Sequence, residues 1–267
     1  IGLDYTLDDD QMVYAYVATG YRSGGYSVGG NFAAGDFPTV DPESLIAYEL
    51  GYKGTLLEGR ARLNAAVYVY DYDDMQLKSN ELNEFTNTIL TVFKNAASAS
   101  ISGLDLEYRY LLTESFQISG SYSYAEATYD DFVDANTLTE DANPVLQDLS
   151  GNSLNRIPEN KFSINGLYSM PLLEGNLDLL ATYSWTDDMY TTQFNTEVDK
   201  LDAFGRVNLR ASWTNAEDNM SIVAFVNNLE DERGELSVSQ ETQANGGSIT
   251  KTFTVPRTFG AKVNFRF

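Results

Sequence analysis

The sequence contains no cysteine and no histidine among its 267 residues. Without cysteine, the chain has neither disulfides nor a thiolate nucleophile. Without histidine, it lacks the Ser-His and Cys-His pairs of common hydrolases, and it lacks His-ligated zinc. Only carboxylates, lysine, tyrosine and serine are left for acid-base or covalent catalysis. We therefore predict that the protein is not an enzyme and that it holds no cofactor.

Long apolar runs and an excess of positive charge are also missing. No stretch approaches the roughly 18 consecutive apolar residues that a membrane-spanning helix requires. Lysine plus arginine total 17 against 39 aspartate plus glutamate, which gives a formal net charge of -22. Nucleic-acid phosphates need basic patches, so nucleic acid is excluded as a partner. The chain opens at Ile1 without a basic and apolar leader, so it is either mature or cut.

What the sequence does contain is a succession of about eleven strand-like segments of roughly ten residues each. The connections between them are alternately very short and very long. The short ones read as hairpin turns, which predicts antiparallel pairing throughout. They lie at 8–10, 57–60, 113–115, 171–176 and 215–219. No helix, low-complexity tract or internal boundary is predicted, so residues 1–267 are expected to form one all-β unit.

The closing segment PRTFGAKVNFRF shows how apolar and polar residues alternate along these strands. Phe259, Val263 and Phe265 lie on one side of a predicted strand, and Lys262 and Arg266 lie on the other. In a soluble sandwich such an apolar face meets a second one about 10 Å away, whereas in an outer-membrane barrel it meets lipid. Sandwiches place comparable loops at both ends. The loop asymmetry therefore favours an antiparallel up-and-down transmembrane β-barrel with short periplasmic turns and long extracellular loops.

Several segments, taken in order, resemble the C-terminal barrel of TonB-dependent outer-membrane receptors. They are VYAYVATGYRSGGY at 13–26, ESLIAYELGYKGTLLEGRARLNAAVYVYDYDDMQ at 43–76, NAASASISGLDLEYRY at 95–110, NRIPENKFSINGLY at 155–168, VNNLEDE at 226–232 and the closing PRTFGAKVNFRF. Each segment is moderately specific by itself, and the ordered set is strong. The resemblance covers nearly the whole chain.

The resemblance implies the location and the mechanism of the protein. Receptors of this family are barrels of about twenty-two strands, filled by an N-terminal plug whose short box engages the energy-coupling protein TonB. This sequence has neither plug nor box and about half the strands, so we expect it to be the C-terminal portion of a receptor barrel in the cell outer membrane. Outer loops are expected to capture a scarce nutrient, most commonly a ferric siderophore, and TonB is expected to pull on the plug.

The resemblance and the alternation together predict three groups of functional residues. The barrel-assembly machinery is expected to recognise an alternating apolar ending formed by Phe259, Val263, Phe265 and Phe267. The polar side of the strands is expected to face the lumen and to hold the plug. Its charged residues are Lys53, Glu107, Arg109, Arg206, Arg210, Lys262 and Arg266. Ligand contact at the mouth is assigned to Tyr26, Phe32, Tyr190 and Phe194, which could equally pack one loop against another.

Acidic clusters in the loops are read as solvated surface. The stretches DYDD at 71–74, YDDFVD at 129–134 and LEDE at 229–232 lack the twelve-residue loop with a central Gly and a closing Glu that binds calcium. No metal site is predicted. Outer-membrane lipid and lipopolysaccharide are expected partners, and divalent ions that bridge the clusters to lipopolysaccharide phosphates are a lesser possibility.

Three alternatives stay open from the sequence. One is a small complete barrel that acts as a passive channel or a surface enzyme. A second is an importer of cobalamin, haem or an oligosaccharide with the same architecture. The third is a secreted carbohydrate-binding sandwich, in which the apolar faces pair with each other and detergent is not needed for dispersal.

Overall fold

A computed structural model of the chain describes residues 1–27, 39–83, 88–136, 145–240 and 247–266. The regular elements in these ranges are all β-strands. Within the same ranges there is no helix long and apolar enough to cross a membrane. The strands are β1 Gly2–Asp8, β2 Gln11–Arg22, β3 Gly25–Tyr26, β4 Thr39–Val40, β5 Glu43–Leu56, β6 Ala61–Asn83, β7 Thr88–Leu111, β8 Phe116–Asn136, β9 Val145–Asp148, β10 Asn160–Leu172, β11 Gly175–Thr186, β12 Met189–Tyr190, β13 Lys200–Leu201, β14 Phe204–Asn215, β15 Met220–Asn227, β16 Glu235–Gln240, β17 Ile249–Phe253 and β18 Thr258–Phe265.

Eleven of these strands form a single antiparallel path in the order β1-β2-β5-β6-β7-β8-β10-β11-β14-β15-β18. Strand β9 adds to the far end of β8, and the remaining short strands form two-stranded hairpins within the long connections. In the part of the chain that the structure describes, β1 and β18 are not paired with each other. The predicted all-β, up-and-down sheet of about eleven strands is therefore confirmed, and it is an open sheet.

Cross-strand register separates the two faces of the sheet along its whole width. Leu209, for example, lies opposite Ala181 and Val226, whereas Arg206 lies opposite Ser184. The face that holds Leu209 carries exposed apolar side chains on nearly every strand: Val17, Tyr48, Leu50, Val67, Val69, Ile164, Leu179, Tyr183, Leu209, Ile222, Phe259 and Val263. Because these side chains stay exposed, no second sheet covers them within the described residues, as a sandwich would require. We call this face the convex face.

The opposite face lines a cavity that reaches from β2 to β14, so the sheet curves around it. We call this the concave face. At one end of the sheet, the turn end, hairpin turns join the strands directly. The connection between β10 and β11 has positive φ at Leu173 (48°) and Glu174 (53°), which is the backbone of a two-residue turn that matches strand twist. At the other end, the loop end, the connections are long, except that β6 and β7 extend into a hairpin joined by residues 84–87.

Strands β6, β7 and β8 are longer than the sequence predicts. They contain 23, 24 and 21 residues, about twice the 9 to 11 that cross a bilayer. The β6–β7 register shifts between Tyr72 and Met75, and Asp74 has a φ of 55°. Beyond this bulge the pairing resumes, because a polar hairpin in water needs hydrogen bonds but no alternation of apolar residues.

An apolar cluster lies on the concave face at the loop end, inside these extensions. Phe132 and Tyr129 of β8 pack with their ring centroids 4.9 Å apart. Leu149 and Leu154, from the segment that follows β9, cover them, and Phe194 packs against the edge. This is the largest buried apolar cluster among the described residues. It fixes the long connections over the mouth of the curved sheet.

Candidate functional site

The concave face presents a continuous polar row across seven strands, from β5 to β14. Lys53 lies opposite Asn64, Asn64 opposite Glu107, and Glu107 opposite Ser121. The row continues through Ser163 and Ser184 to Arg206. It borders a cavity of about 760 Å³. A curved wall of hydroxyl, amide and charged groups is suited to contact with water, a polar solute or a hydrophilic protein domain.

The predicted wall residues all lie on this concave parity, although they do not form one cluster. Lys53, Glu107 and Arg206 belong to the row described above. Arg210 lies opposite Phe225, and Lys262 opposite Val223, beside a separate cavity of about 470 Å³. Arg109 lies in the next row towards the turn end, opposite Arg62. Arg266 follows β18, and its backbone N–H donates to the carbonyl of Asn219.

The charges on this wall differ from those of the chain as a whole. We compare the charges on the part of the concave face that reaches from the turn end to the cross-strand row of Glu49. The basic side chains there are Lys53, Arg62, Arg109, Lys161, Arg206, Arg210 and Lys262. The acidic ones are Asp4, Glu49, Asp105, Glu107 and Asp178. Cations outnumber carboxylates here, although the whole sequence has 17 against 39.

None of these wall cations has a carboxylate partner within 4.0 Å among the described residues. The two ion pairs found there join Lys200 to Asp188 and Lys251 to Glu235, both in the long connections. The wall cations therefore remain available to a partner. Their predicted role in holding a plug stays a prediction.

A carboxylate with two tyrosine donors is a wall feature that the sequence reasoning missed. Tyr14 and Tyr16 of β2 each donate a hydroxyl hydrogen bond of 2.7 Å to Glu49 of β5. Tyr68 and Tyr70 stack beside them with centroids 4.8 Å apart. The alternating tyrosines in VYAY and VYVY were a signal for one tyrosine-rich face. Their convergence on Glu49 depends on strand register.

The aromatic residues predicted to contact ligand are not gathered into one site. Tyr26 of β3 is exposed, and Tyr190 of β12 borders a cavity of about 250 Å³. Phe194 packs against the apolar cluster, which is the loop-packing alternative for this residue. Phe32 lies outside the described residues. Ligand contact by these residues stays a prediction.

Hydrogen bonds join the connection that follows β12 to the loop end of β8. The carboxylate of Asp134, which is fully buried, accepts a hydrogen bond from Ser79 Oγ and one of 2.8 Å from Gln193 Nε2. Asn152 Nδ2 donates to the carbonyl of Gln193 at 2.9 Å. Tyr129 donates to Asn155 Oδ1 at 3.0 Å. This part of the mouth is therefore packed, and these polar groups are hydrogen-bonded within it.

Burial raises the pKa of Tyr129 to about 12 from 10.0, and the nearby charge of Asp134 adds to this effect. The raised pKa means that the fold favours the neutral phenol. Its contribution to stability is fully present below pH 10 and is lost as the pH rises towards 12. We expect the difference in tyrosinate absorbance between wild type and Tyr129→Phe to show a midpoint of about 12. A midpoint at the ordinary value of 10.0 would show that this ring is not buried.

The residues predicted to form the barrel-assembly signal lie on the last strand. Phe259, Val263 and Phe265 are exposed on the convex parity of β18, an edge of the described sheet. Phe267 lies outside the described residues. Recognition of this ending stays a prediction. Among the residues that the structure describes, no group of three or more carboxylates is placed to hold a metal ion.

The chain matches the family model described as TonB dependent receptor-like, beta-barrel, over residues 1–229. The chain belongs to this family. As a member of the TonB-dependent receptor β-barrel family, the protein resides in the outer membrane, with the convex face against lipid, the turn end at the periplasm and the loop end outside. The family and the fold are those of transport receptors. Trp185 and Trp213 lie near the loop and turn ends of their strands, where a membrane interface favours indole rings.

Individual receptors are similar to this chain over different lengths. The Ferric-pyoverdine BN7/BN8 receptor of Pseudomonas putida is 28% identical over 127 residues, which are 48% of this chain and 14% of that protein. The structure of the ferric yersiniabactin uptake receptor FyuA from Yersinia pestis has a TM-score of 0.77 and 22% identity, over 100% of this chain and 36% of that one.

A second solved receptor agrees with the first in fold. The siderophore receptor PiuA from Acinetobacter baumannii has a TM-score of 0.72 and 20% identity, over 99% of this chain and 35% of that chain. At these identities the likeness shows the fold. The chain spans about a third of the length of the solved receptors that it matches.

Proposed function

We propose that this chain is the C-terminal portion of the barrel of a receptor that imports a ferric siderophore across the outer membrane with energy from TonB. The observation that carries the proposal is the concave wall of cations without carboxylate partners beneath a packed outer mouth, in a barrel of this family. The relative named as a ferric-pyoverdine receptor supports iron as the cargo. The wall and the mouth would have separate tasks.

The wall would hold a plug domain. Lys53, Glu107 and Arg109 lie in two adjacent rows of the concave face, and Arg206 and Arg210 extend this set on β14. A plug that forms hydrogen bonds and ion pairs with such side chains is held firmly while the contacts stay wet enough to break. Exposed ion pairs are each worth less than about 1 kcal/mol, so a pull from TonB can release them one by one.

The mouth would bind the cargo. The loops around β8 and β12 are fixed by the apolar cluster and by the Asp134 contacts, and a preformed site binds with a smaller loss of conformational entropy. Tyr26 and Tyr190 are the aromatic side chains that we propose as ligand contacts, because their rings are not committed to the cluster. Phe194 supports the loops from below.

Lipid and the assembly machinery would be the remaining partners. Phe259, Val263 and Phe265 present an alternating apolar edge that suits both lipid contact and recognition during insertion. The acidic outer loops would reach lipopolysaccharide through divalent cations. Neither task requires catalysis, and we propose none for this protein.

The experiment that tests the cargo uses the whole receptor that contains this chain, purified in detergent. Its intrinsic fluorescence is titrated with ferric hydroxamate, catecholate and mixed-ligand siderophores, and with haem, cobalamin and maltohexaose as controls. We expect one ferric siderophore class to bind at least about 100-fold more tightly than the controls, a difference of about 2.7 kcal/mol. Tight binding of a control, with no binding of any ferric siderophore, would show that the barrel serves a different importer.

A further inference from the structure

Two arginines face each other directly on the concave wall near the turn end. Arg62 of β6 and Arg109 of β7 are cross-strand partners in the described register. Directly opposed like charges destabilise an antiparallel pair. A wall that keeps such a pair needs something outside the sheet to compensate for the repulsion.

No carboxylate of the described residues forms an ion pair with either arginine. Glu107 lines a cavity with both of them, and the acidic turn at 8–10 lines a neighbouring cavity with Arg62, but none of these carboxylates pairs with a guanidinium group. Arg109 Nε donates to Gln117 Oε1 at 2.7 Å, which is a neutral acceptor. Arg62 has no hydrogen bond or ion pair with any described residue. Both side chains are exposed to the lumen. Two forked guanidinium groups therefore remain with most of their N–H donors unused.

An acceptor without a donor lies beside them. Asn64 Nδ2 donates to Glu107 Oε2 at 3.3 Å, but Asn64 Oδ1 is buried and has no hydrogen-bond partner. The same two side chains and the arginine pair line a cavity of about 380 Å³. Lys53 lies opposite Asn64 and borders the neighbouring cavity that Arg62 also lines. The cavity thus sets one carboxylate, Glu107, against two arginines, and it can accept a further negative group together with a hydrogen-bond donor for Asn64.

We propose that this cavity is a docking site for an acidic side chain on the domain that fills the barrel. A carboxylate fits between the two guanidinium groups, because arginine binds carboxylates with paired N–H donors. The backbone N–H of the same peptide segment would donate to Asn64 Oδ1. A carboxylate alone has no donor, so a peptide meets both requirements better than a free anion. The inference rests on the proposed function and adds the polarity and the location of one plug contact.

The test places a photo-cross-linking amino acid at Thr55 in the whole receptor. Thr55 lies opposite Arg62 on the same face, so the probe reaches the cavity while both arginines stay in place. We expect a cross-link to a segment of the filling domain that contains an Asp or Glu. In Arg62→Gln/Arg109→Gln, the yield of this cross-link should fall about tenfold, as for the loss of one charge-assisted contact. Arg62→Lys/Arg109→Lys should retain part of it.

Two outcomes would overturn the proposal. One is a cross-linked segment without an acidic residue, or a yield that the double glutamine variant leaves unchanged. The other is binding of inorganic phosphate to wild type but not to the double variant, with the cross-link unchanged, which would make this a free-anion site. The double glutamine variant removes the repulsion between the two arginines, so the barrel should still fold. The shift of its electrophoretic migration on heating checks this.

A second probe position separates this proposal from the proposed function. Ser184 lies across the large cavity, opposite Arg206 and away from the arginine pair. If a domain fills the barrel, cross-links from Ser184 persist in every variant. If neither Ser184 nor Thr55 gives a cross-link within the receptor, no domain fills the lumen, and the proposed function fails together with the docking site.

Discussion

Replacing Leu209 by arginine is expected to destabilise the barrel by about 2–4 kcal/mol. Leu209 lies midway along β14 on the convex face, and its side chain is 38% exposed in the absence of lipid. In the outer membrane that exposed surface contacts hydrocarbon, where a guanidinium loses its hydration. Urea unfolding of the receptor in lipid vesicles measures the effect.

The matched control is Ser212→Arg, on the opposite face of the same strand. Ser212 lies on the concave face opposite Asp178, so an arginine there stays in water and should change the free energy of unfolding by less than about 1 kcal/mol. Equal losses in the two variants, or a larger loss for Ser212→Arg, would mean that the convex face does not contact lipid.

Replacing Phe132 by alanine is expected to cost about 3–5 kcal/mol, confined to the outer mouth. Phe132 is 0% exposed and joins the extensions of β7 and β8 to the segment around Leu149. Removal of the ring leaves a cavity, and the loops that rest on it should open more often. Hydrogen exchange should speed up at the loop end while the membrane-embedded amides keep their protection. Siderophore affinity should fall as well.

Leu146→Ala serves as the matched control, because Leu146 lies in the neighbouring β9 and is 72% exposed. Its truncation should leave exchange and affinity nearly unchanged. If Phe132→Ala also left affinity unchanged while the loops opened, the packed mouth would not be the binding site. If it unfolded the membrane-embedded strands, the two parts of the barrel would form one cooperative unit.

The membrane-embedded part of the fold could be predicted from the sequence because lipid imposes a period of two on each strand. In β11, Leu177, Leu179 and Tyr183 alternate with Asp178 and Ser184, and the structure keeps these sets on opposite faces. Hairpin turns between such segments fix the order of the strands. The number and direction of the strands therefore followed from local pattern alone.

The outer extensions could not be predicted in the same way. Beyond Tyr72 both faces of β6 and β7 lie in water or against loops, so apolar and polar residues no longer alternate. The bulge at Asp74 shifts the register as well. Short hairpins such as β16 with β17, in the last long connection, depend on contacts between segments that are not regularly patterned.

The wall was predictable as a surface but not as a set of contacts. Parity alone placed Arg109 and Arg206 on the lumen side. The opposition of Arg62 to Arg109, and the two tyrosine hydroxyls on Glu49, depend on which residues pair across strands. A shift of one residue in register would have moved each of them to the opposite face.

Uptake of radioactive ferric siderophore by cells that produce the whole receptor, with and without TonB, tests whether the barrel belongs to an energised importer. We expect surface binding to be the same in both strains and accumulation inside to fall to background without TonB. A protonophore should have the same effect as loss of TonB. Equal accumulation in both strains would show instead that the solute passes through the barrel without energy.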